Sequence, residues 1–269
     1  MLTDSEIEDW LREDIGHRDV TNSVPGETTG RLVPTESGVA AGLDAAAAVF
    51  EYLGVDARVQ VEEGHRLDPD SPALVAAGPA RDVLRGERVA VNIAAHASGV
   101  ATRTRDAVDA AHKIDDEVRV AGTRKTTPGL RGIEKRAVAA GGGDTHRLTL
   151  SGMVMVKDNH ITELGFDRAI ERIRERTSFA TKVEVEVEEP GDAVRAAEAG
   201  ADVVLFDNLD PAALERGVEA LPDGVLAEAS GGITVDDVPA YAATGVDIIS
   251  LGSLTHSAPA LDYSFRTGR

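Results

Sequence analysis

Cysteine is absent from the 269 residues, which removes disulfides, thiolate metal sites and a cysteine nucleophile and fits a reducing, cytoplasmic setting. Lysine is scarce, with five against 23 arginines, and aromatic residues make up only 3% of the chain. No apolar run approaches the roughly 18 residues of a membrane span, so no segment is expected to cross a bilayer. The first twenty residues carry Asp4, Glu6, Glu8, Asp9, Glu13 and Asp14, which is not the make-up of a secretory signal. The seven histidines are scattered and form no His-Glu-x-x-His pair, leaving a zinc hydrolase without support. There is no Gly-Lys-Thr phosphate loop and no Gly-x-Gly-x-x-Gly after a strand.

What the chain has in excess is acid, with a formal net charge of −19. Ala121 to His160 runs against that trend. It holds Arg124, Lys125, Arg131, Lys135, Arg136, Arg147 and Lys157 against Glu134, Asp144 and Asp158, leaving 21 basic and 44 acidic groups in the other 229 residues. A cationic island in so acidic a body points to a small anionic ligand drawn to one place. A nucleic-acid face needs a broad basic surface, and none is present. The acid excess, with arginine replacing lysine and much alanine and glycine, is the composition expected of a halophile-like protein, in which salt screens carboxylate repulsion.

In chain order, Ile7 to Asp14 reads as an acidic amphipathic helix with Ile7, Trp10 and Leu11 on one side. Short alternating runs follow at Gly30–Val33, Gly38–Ala41, Arg58–Val61 and Ala73–Ala77, with a helix over Asp44–Leu53 between them. This pattern predicts an α+β first domain, an antiparallel sheet with helices on one face. A long helix is predicted from Arg85 to about Val108, and it places Arg88, Asn92 and His96 on one face. From the residues alone, that face is either a solvated stripe or a polar contact in a helix interface.

After Asp115 the rhythm becomes βα. Apolar runs at Val118–Ala121, Met153–Val156, Val183–Val187, Val203–Phe206, Leu226–Ala227 and Val246–Ile249 alternate with helices over Leu130–Ala140, Phe166–Thr177, Pro190–Ala199, Pro211–Ala220 and Thr234–Ala243. The expected architecture is an α/β barrel with six strands and not the usual eight. The domains are expected to cover residues 1–108, an α+β open-faced sandwich, and 109–269, the incomplete barrel, with about the last 12 residues packing back on the first domain.

In such barrels the residues just after each strand face the active site. Here they are Thr123-Arg124-Lys125, Lys157-Asp158-Asn159-His160, Asp207-Asn208, Ser230-Gly231-Gly232 and Gly252-Ser253. The last two follow the final strands, where glycine lets backbone approach an anion and helix-start amides point at it. Gly141-Gly142-Gly143 follows a helix and reads as its cap. In Lys182–Glu189, KVEVEVEE, alternation puts Val183, Val185 and Val187 on one face and Glu184, Glu186 and Glu188 on the other. These acids belong either to a solvated edge strand or to a buried strand whose carboxylates meet cations or metal.

The segments TRKTTPGLRGIEKRAV (123–138), GGGDTHR (141–147) and VKDNH (156–160) resemble the signature stretches of the quinolinate phosphoribosyltransferases, the carboxylating nicotinate-nucleotide pyrophosphorylases. The likeness continues through EDIGHRDVT, GERVAVNIAAHASGVAT, VEVEVE, LFDNL, EASGGI and DIISLGSLTHSAPALDYS, and so covers nearly the whole chain. It implies a cytoplasmic enzyme of de novo NAD biosynthesis that joins quinolinate to phosphoribosyl pyrophosphate and releases pyrophosphate and CO2. By the same resemblance Lys125, Lys157, Glu186 and Asp207 are the catalytic residues, with Glu186 and Asp207 holding Mg2+. Arg124, His146 and Arg147 grip the substrate carboxylates, with Lys157 beside them. Ser230, Gly231, Gly252 and His256 lie near the 5′-phosphate. Arg88 is expected to reach a neighbouring subunit's site, which makes the protein a homodimer with a shared site, open to further assembly.

The sequence departs from the family pattern at Arg18, where glycine is usual, at Thr145, where asparagine is common, and at Gly152, where aspartate is frequent. A sibling phosphoribosyltransferase acting on another base fits the same signature. Lys125 and Lys157 at strand ends also admit a Schiff-base aldolase, and the phosphate site admits an idle sensor.

Overall fold

The computed structural model describes residues 2–268. They form two compact units. The first comprises the described residues up to Arg105, Thr127–Gly142 and the chain from Ser257 onward; the second comprises Asp106–Thr126 and Gly143–His256.

In the first unit β1 (Glu27–Pro34), β3 (Asp56–Val59), β5 (Leu74–Pro79) and β12 (Tyr263–Thr267) form an antiparallel sheet in the order β12-β1-β5-β3, and β2 (Gly38–Val39) pairs with β4 (Arg66–Leu67). Helix α1 (Asp4–Ile15) opens on a capping box between Thr3 and Glu6 and stops at Gly16, with Ile7 and Leu11 buried. Helix α2 (Leu43–Tyr52) has no cap of its own. The Glu63 carboxylate accepts the Gly42 and Leu43 N–H groups at 3.1 and 3.0 Å instead.

The long helix α3 (Ala80–His112) begins in this unit and continues into the second. Gly99 is obligatory on it, because an added Cβ would lie 2.0 Å from the Pro259 carbonyl oxygen. Helix α4 (Arg131–Ala140), expected among the barrel helices, belongs to the first unit. Its Ile133, Ala137 and Val138 join Ile7, Leu11, Val49 and Ile93 in one apolar core. Lys135, one of the basic residues on this helix, is buried, at 2% exposed. The apolar period on α4 is the same whichever core it faces, so the pattern alone does not say which unit it serves.

The second unit is a six-stranded parallel sheet in the order β6-β11-β10-β9-β8-β7, comprising β6 (Arg119–Gly122), β7 (Val154–Val156), β8 (Val183–Val187), β9 (Val203–Asp207), β10 (Leu226–Ser230) and β11 (Ile248–Leu251). Strands β6 and β7 stand at its two ends. Beyond β6 a bridge from Ala121 to Asp144 adds to that edge. Around the sheet run α5 (Asp158–Leu164), α6 (Phe166–Arg174), α7 (Asp192–Glu198), α8 (Pro211–Ala220), α9 (Val238–Ala242) and α10 (Ser253–His256).

Strand β8 lies between β7 and β9 and is buried along its whole length, so the edge-strand reading of KVEVEVEE falls; Glu188, just past the strand, is exposed. Its valines pack with Val204, Phe206, Ala229, Ile249 and Leu251. Glu184 and Glu186 face the other way, toward His146 and Lys157 respectively. No helix among the described residues is long and apolar enough to cross a membrane.

Candidate active site

Because side chains alternate along a strand and neighbours in register share a face, the pairings fix what lines the interior of the second unit. Met155 is level with Glu184, Glu186 and Glu228 are level with Leu205, and Ser230 is level with Asp207. One step further along the chain, toward the carboxyl ends, Lys157 follows β7 and Gly252 follows β11. Together with the residues after β6 they line a cleft of about 490 Å³ that includes Arg124, Lys125, His146, Arg147, Lys157, Glu186, Asp207, Ser230, Gly231, Gly252 and His256. These are all the candidate residues except Arg88, which stands exposed on α3 in the first unit with Glu87 Oε1 3.9 Å from its Nη2. On the same face Asn92 is exposed, and His96 is tied to Glu134 at 2.9 Å.

The cationic side of the cleft comes from the island seen in the sequence. Arg124 and Arg147 are half-buried, and the Nε of each is buried without a hydrogen-bond partner. Arg147 Nη2 donates to Met155 Sδ at 3.2 Å. Burial, and next the Arg124 charge, hold the Arg147 pKa below the usual guanidinium value, while Glu184 and Glu228 oppose that shift. Two desolvated guanidinium groups with unused donors, side by side, are suited to a doubly anionic ligand. The backbone of Lys125 is fixed at both ends: its N–H donates to Thr123 Oγ1 at 3.1 Å, and its carbonyl accepts from the buried Thr255 hydroxyl at 2.7 Å.

The acidic side lies opposite in sign. Glu186, 8% exposed, pairs with the Lys157 ammonium. Asp207 accepts from the Asn208 side-chain amide at 2.6 Å. Asn208 has a φ of 57° and donates its backbone N–H to the Ser230 carbonyl at 2.9 Å. Gly231 has a φ of 96°, and a Cβ there would sit 2.4 Å from Asn208 Oδ1, so this turn needs glycine twice over, for conformation and for space. The Ser250 hydroxyl donates to Ser230 Oγ at 3.0 Å and links the last two strand ends.

Two buried acids matter here, Glu184, which the alternation in KVEVEVEE marks, and Glu228, which the sequence pattern does not single out. Glu184 and Glu228 are 0% and 1% exposed and lie one alternation deeper than Glu186 on β8 and Ser230 on β10. His146 Nε2 is 3.0 Å from Glu228 Oε2 and 3.7 Å from Glu184 Oε2. Burial foremost, then the Glu228 charge, pushes the Glu184 carboxyl up to about 9. The three groups offer ligand atoms within 4.8 Å of one another. Arg147 already supplies positive charge to both acids, however, which makes this an internal counter-charge layer beneath the cleft. The signal available in the sequence was the period-two spacing from Glu186 and Ser230.

The family patterns described as quinolinate phosphoribosyl transferase, N-terminal and C-terminal domains, match residues 19–98 and 100–266. A probable carboxylating nicotinate-nucleotide pyrophosphorylase of Methanothermobacter thermautotrophicus is 42% identical over 268 residues, covering 96% of each chain. The human carboxylating nicotinate-nucleotide pyrophosphorylase is 41% identical over 266 residues, covering 97% of this chain and 90% of that one. The crystal structure of NadC from Streptococcus pyogenes superposes with a TM-score of 0.92 at 36% identity, over 100% of this chain and 98% of that one. Both domain patterns occur in order, the relatives align nearly end to end, and the chain belongs to the quinolinate phosphoribosyl transferase family.

Proposed function

We propose that the protein transfers the phosphoribosyl group of phosphoribosyl pyrophosphate to quinolinate, with decarboxylation, giving nicotinate mononucleotide, pyrophosphate and CO2. The observation that carries this reading is the single cleft in which Arg124, Arg147, His146, Lys125 and Lys157 face Glu186, Asp207 and the glycine turns at Gly231 and Gly252. Such a cleft holds two anions of different shape, one a planar diacid and the other a phosphorylated sugar with hydroxyls.

Arg124, His146 and Arg147 take the two carboxylates, where forked guanidinium donors match carboxylate geometry. The Ser230-Gly231 and Gly252-Ser253 turns take the 5′-phosphate. Glu186 and Asp207 hold the ribose hydroxyls. The pyridine nitrogen then attacks the anomeric carbon as the bond to pyrophosphate breaks, with Lys125 and Lys157 balancing the charge that builds on the departing oxygens. The positive charge of the pyridinium nitrogen so formed stabilises the electron pair that stays on the adjacent ring carbon when the 2-carboxylate departs as CO2, and that carbon then takes up a proton. Lys157, which lines the same cleft, is the residue assigned to assist this step.

Glu186 and Asp207 also suit Mg2+. They are two hard oxygen donors on adjacent strands facing the cleft, and a magnesium ion held by few carboxylates keeps its other positions for water and phosphate oxygens. When bound there, it neutralises pyrophosphate charge. The Schiff-base alternative loses ground at Lys157, whose ammonium is engaged by Glu186 and not seated in apolar surroundings.

The working form is a homodimer in the cytoplasm. Arg88, exposed on α3, completes the cleft of a second copy, and mixing Arg88→Ala with Lys125→Ala subunits restores activity if it does. Pyrophosphate and CO2 release, measured with phosphoribosyl pyrophosphate, magnesium and either quinolinate or nicotinate, tests the reaction itself. Turnover with quinolinate and none with nicotinate is expected; the reverse would assign the cleft to another base.

A further inference from the structure

We infer that Glu228 is a positioning residue for the diacid-binding side of the cleft, acting through His146. The inference rests on the reaction proposed above. Glu228 lies within β10, 1% exposed, with Oε2 3.0 Å from His146 Nε2. Glu184 Oε2 approaches the same nitrogen at 3.7 Å. With Glu228 Oε2 as the acceptor of this contact the ring proton sits on Nε2, the tautomer the inference requires.

The backbone makes this hold consequential. His146 has a φ of 50°, a left-handed conformation that is unusual for a residue with a side chain and persists only where its surroundings impose it. Two contacts impose it here. Asp144 Oδ1 accepts the His146 N–H at 2.6 Å, and Glu228 takes the ring. Arg147 is the next residue, so the direction of its guanidinium is set from the same hinge. Glu228 therefore orients both members of the His-Arg pair without touching the substrate. Lys157 just after β7, Glu186 on β8 and Asp207 on β9 are not linked to this contact by any hydrogen bond found among the described residues.

The test compares Glu228→Met, which keeps much of the volume but offers no oxygen, with Glu228→Gln, which keeps an acceptor for Nε2–H. Glu228→Met is expected to raise KM for quinolinate by about 10-fold or more, while KM for phosphoribosyl pyrophosphate stays within about twofold; Glu228→Gln restores quinolinate KM to within about threefold of wild type. In a His146→Ala background the Glu228→Met effect on quinolinate KM disappears. Equal rises for both substrates, an effect that survives in His146→Ala, or no effect of Glu228→Met would each overturn the inference.

Nitrogen-15 NMR of the wild-type protein gives a reading that needs no variant. A His146 ring with an unprotonated Nε2 overturns the proposal, and a protonated Nε2 supports it. If the wild type turns over quinolinate and the variants behave otherwise than stated, only the role of Glu228 falls. If the wild type does not turn over quinolinate, the proposed reaction falls and this role falls with it.

Discussion

The Lys157 ammonium and the Glu186 carboxylate pair with each other across the step from β7 to β8. The lysine is the more exposed partner, with 42% of its side chain accessible against 9% for the glutamate. Each therefore serves as the other's counter-ion, and both are proposed to act in the reaction. Removing one leaves the other charged, partly desolvated and aimed at a ligand of changed balance. Lys157→Ala and Glu186→Ala are each expected to fold and to lose about 100-fold or more in kcat/KM. The double variant should lose much less than the product of the two, because they act as a unit. Steady-state kinetics on the four proteins measures the coupling, and simple multiplication of the two losses would show that the pair is incidental.

Gly231 offers a sharper test of the phosphate turn. Its φ of 96° and the 2.4 Å approach of a Cβ to Asn208 Oδ1 mean that alanine must displace Asn208, whose own φ is 57°. Strain of this kind costs about 1–3 kcal/mol, and here it falls on the turn between β10 and α9 and on the residue after Asp207. Gly231→Ala should raise KM for phosphoribosyl pyrophosphate by roughly 10-fold and leave KM for quinolinate nearly unchanged. A matching rise for both substrates would remove the phosphate role from this turn.

Much of this arrangement was legible in the sequence because it lies on strand ends. The six parallel strands, the basic residues after β6 and β7, and the acids of β8 and β9 follow from period-two runs ending in polar residues, and the structure brings all of these into one cleft. What was not legible depends on contacts distant in sequence. Helix α4 has an amphipathic pattern that suits a barrel helix, yet its apolar side meets α1, α2 and α3. Strand β12 pairs with β1, with Thr267 opposite Gly30, a register that no local signal encodes. Glu228 reads as a strand residue among alanines, and only the fold brings His146 to it. Helix α5, starting directly after Lys157, lacks the Ser, Thr or Asp cap that announces a helix, and uses His160 Nδ1 to accept the Lys157 N–H at 3.0 Å.

Asp19 yields a pH-dependent prediction in the first unit. Its carboxylate accepts from Arg85 Nε at 2.8 Å and from the Thr21 and Asn22 N–H groups at 2.9 and 3.0 Å. The Arg85 contact foremost, then the two backbone donors, hold its pKa well below the usual value of 3.8. A group whose folded pKa is depressed stabilises the fold above its unfolded pKa, and that stabilisation is lost as pH falls through the folded value. Asp19→Asn should therefore lower Tm at neutral pH, and the difference from wild type should shrink steadily below about pH 4. A difference that stays constant down to pH 2 would mean that the loop is held by something other than this charge.

Salt should act on the whole chain through its charge of −19. Like charges spread over a compact body repel in proportion to how poorly they are screened, and the Debye length falls from about 10 Å at 0.1 M to about 3 Å at 1 M. Ion pairs such as Arg195 with Asp167 at 2.7 Å, exposed on both sides, weaken over the same range but contribute little individually. The net effect of KCl should be stabilising, with Tm rising by several degrees between about 0.1 M and 2 M. The cleft responds in the opposite sense, because the attraction of its cations for two anionic substrates is screened too. Raising KCl should therefore increase Tm and both KM values together, with the half-buried Arg124 and Arg147 limiting the loss for the diacid. Thermal unfolding and kinetics across one KCl series separate the two effects. A Tm that peaks at low salt would show that the acid excess is neutral to stability and that the protein is not built for a salt-rich interior.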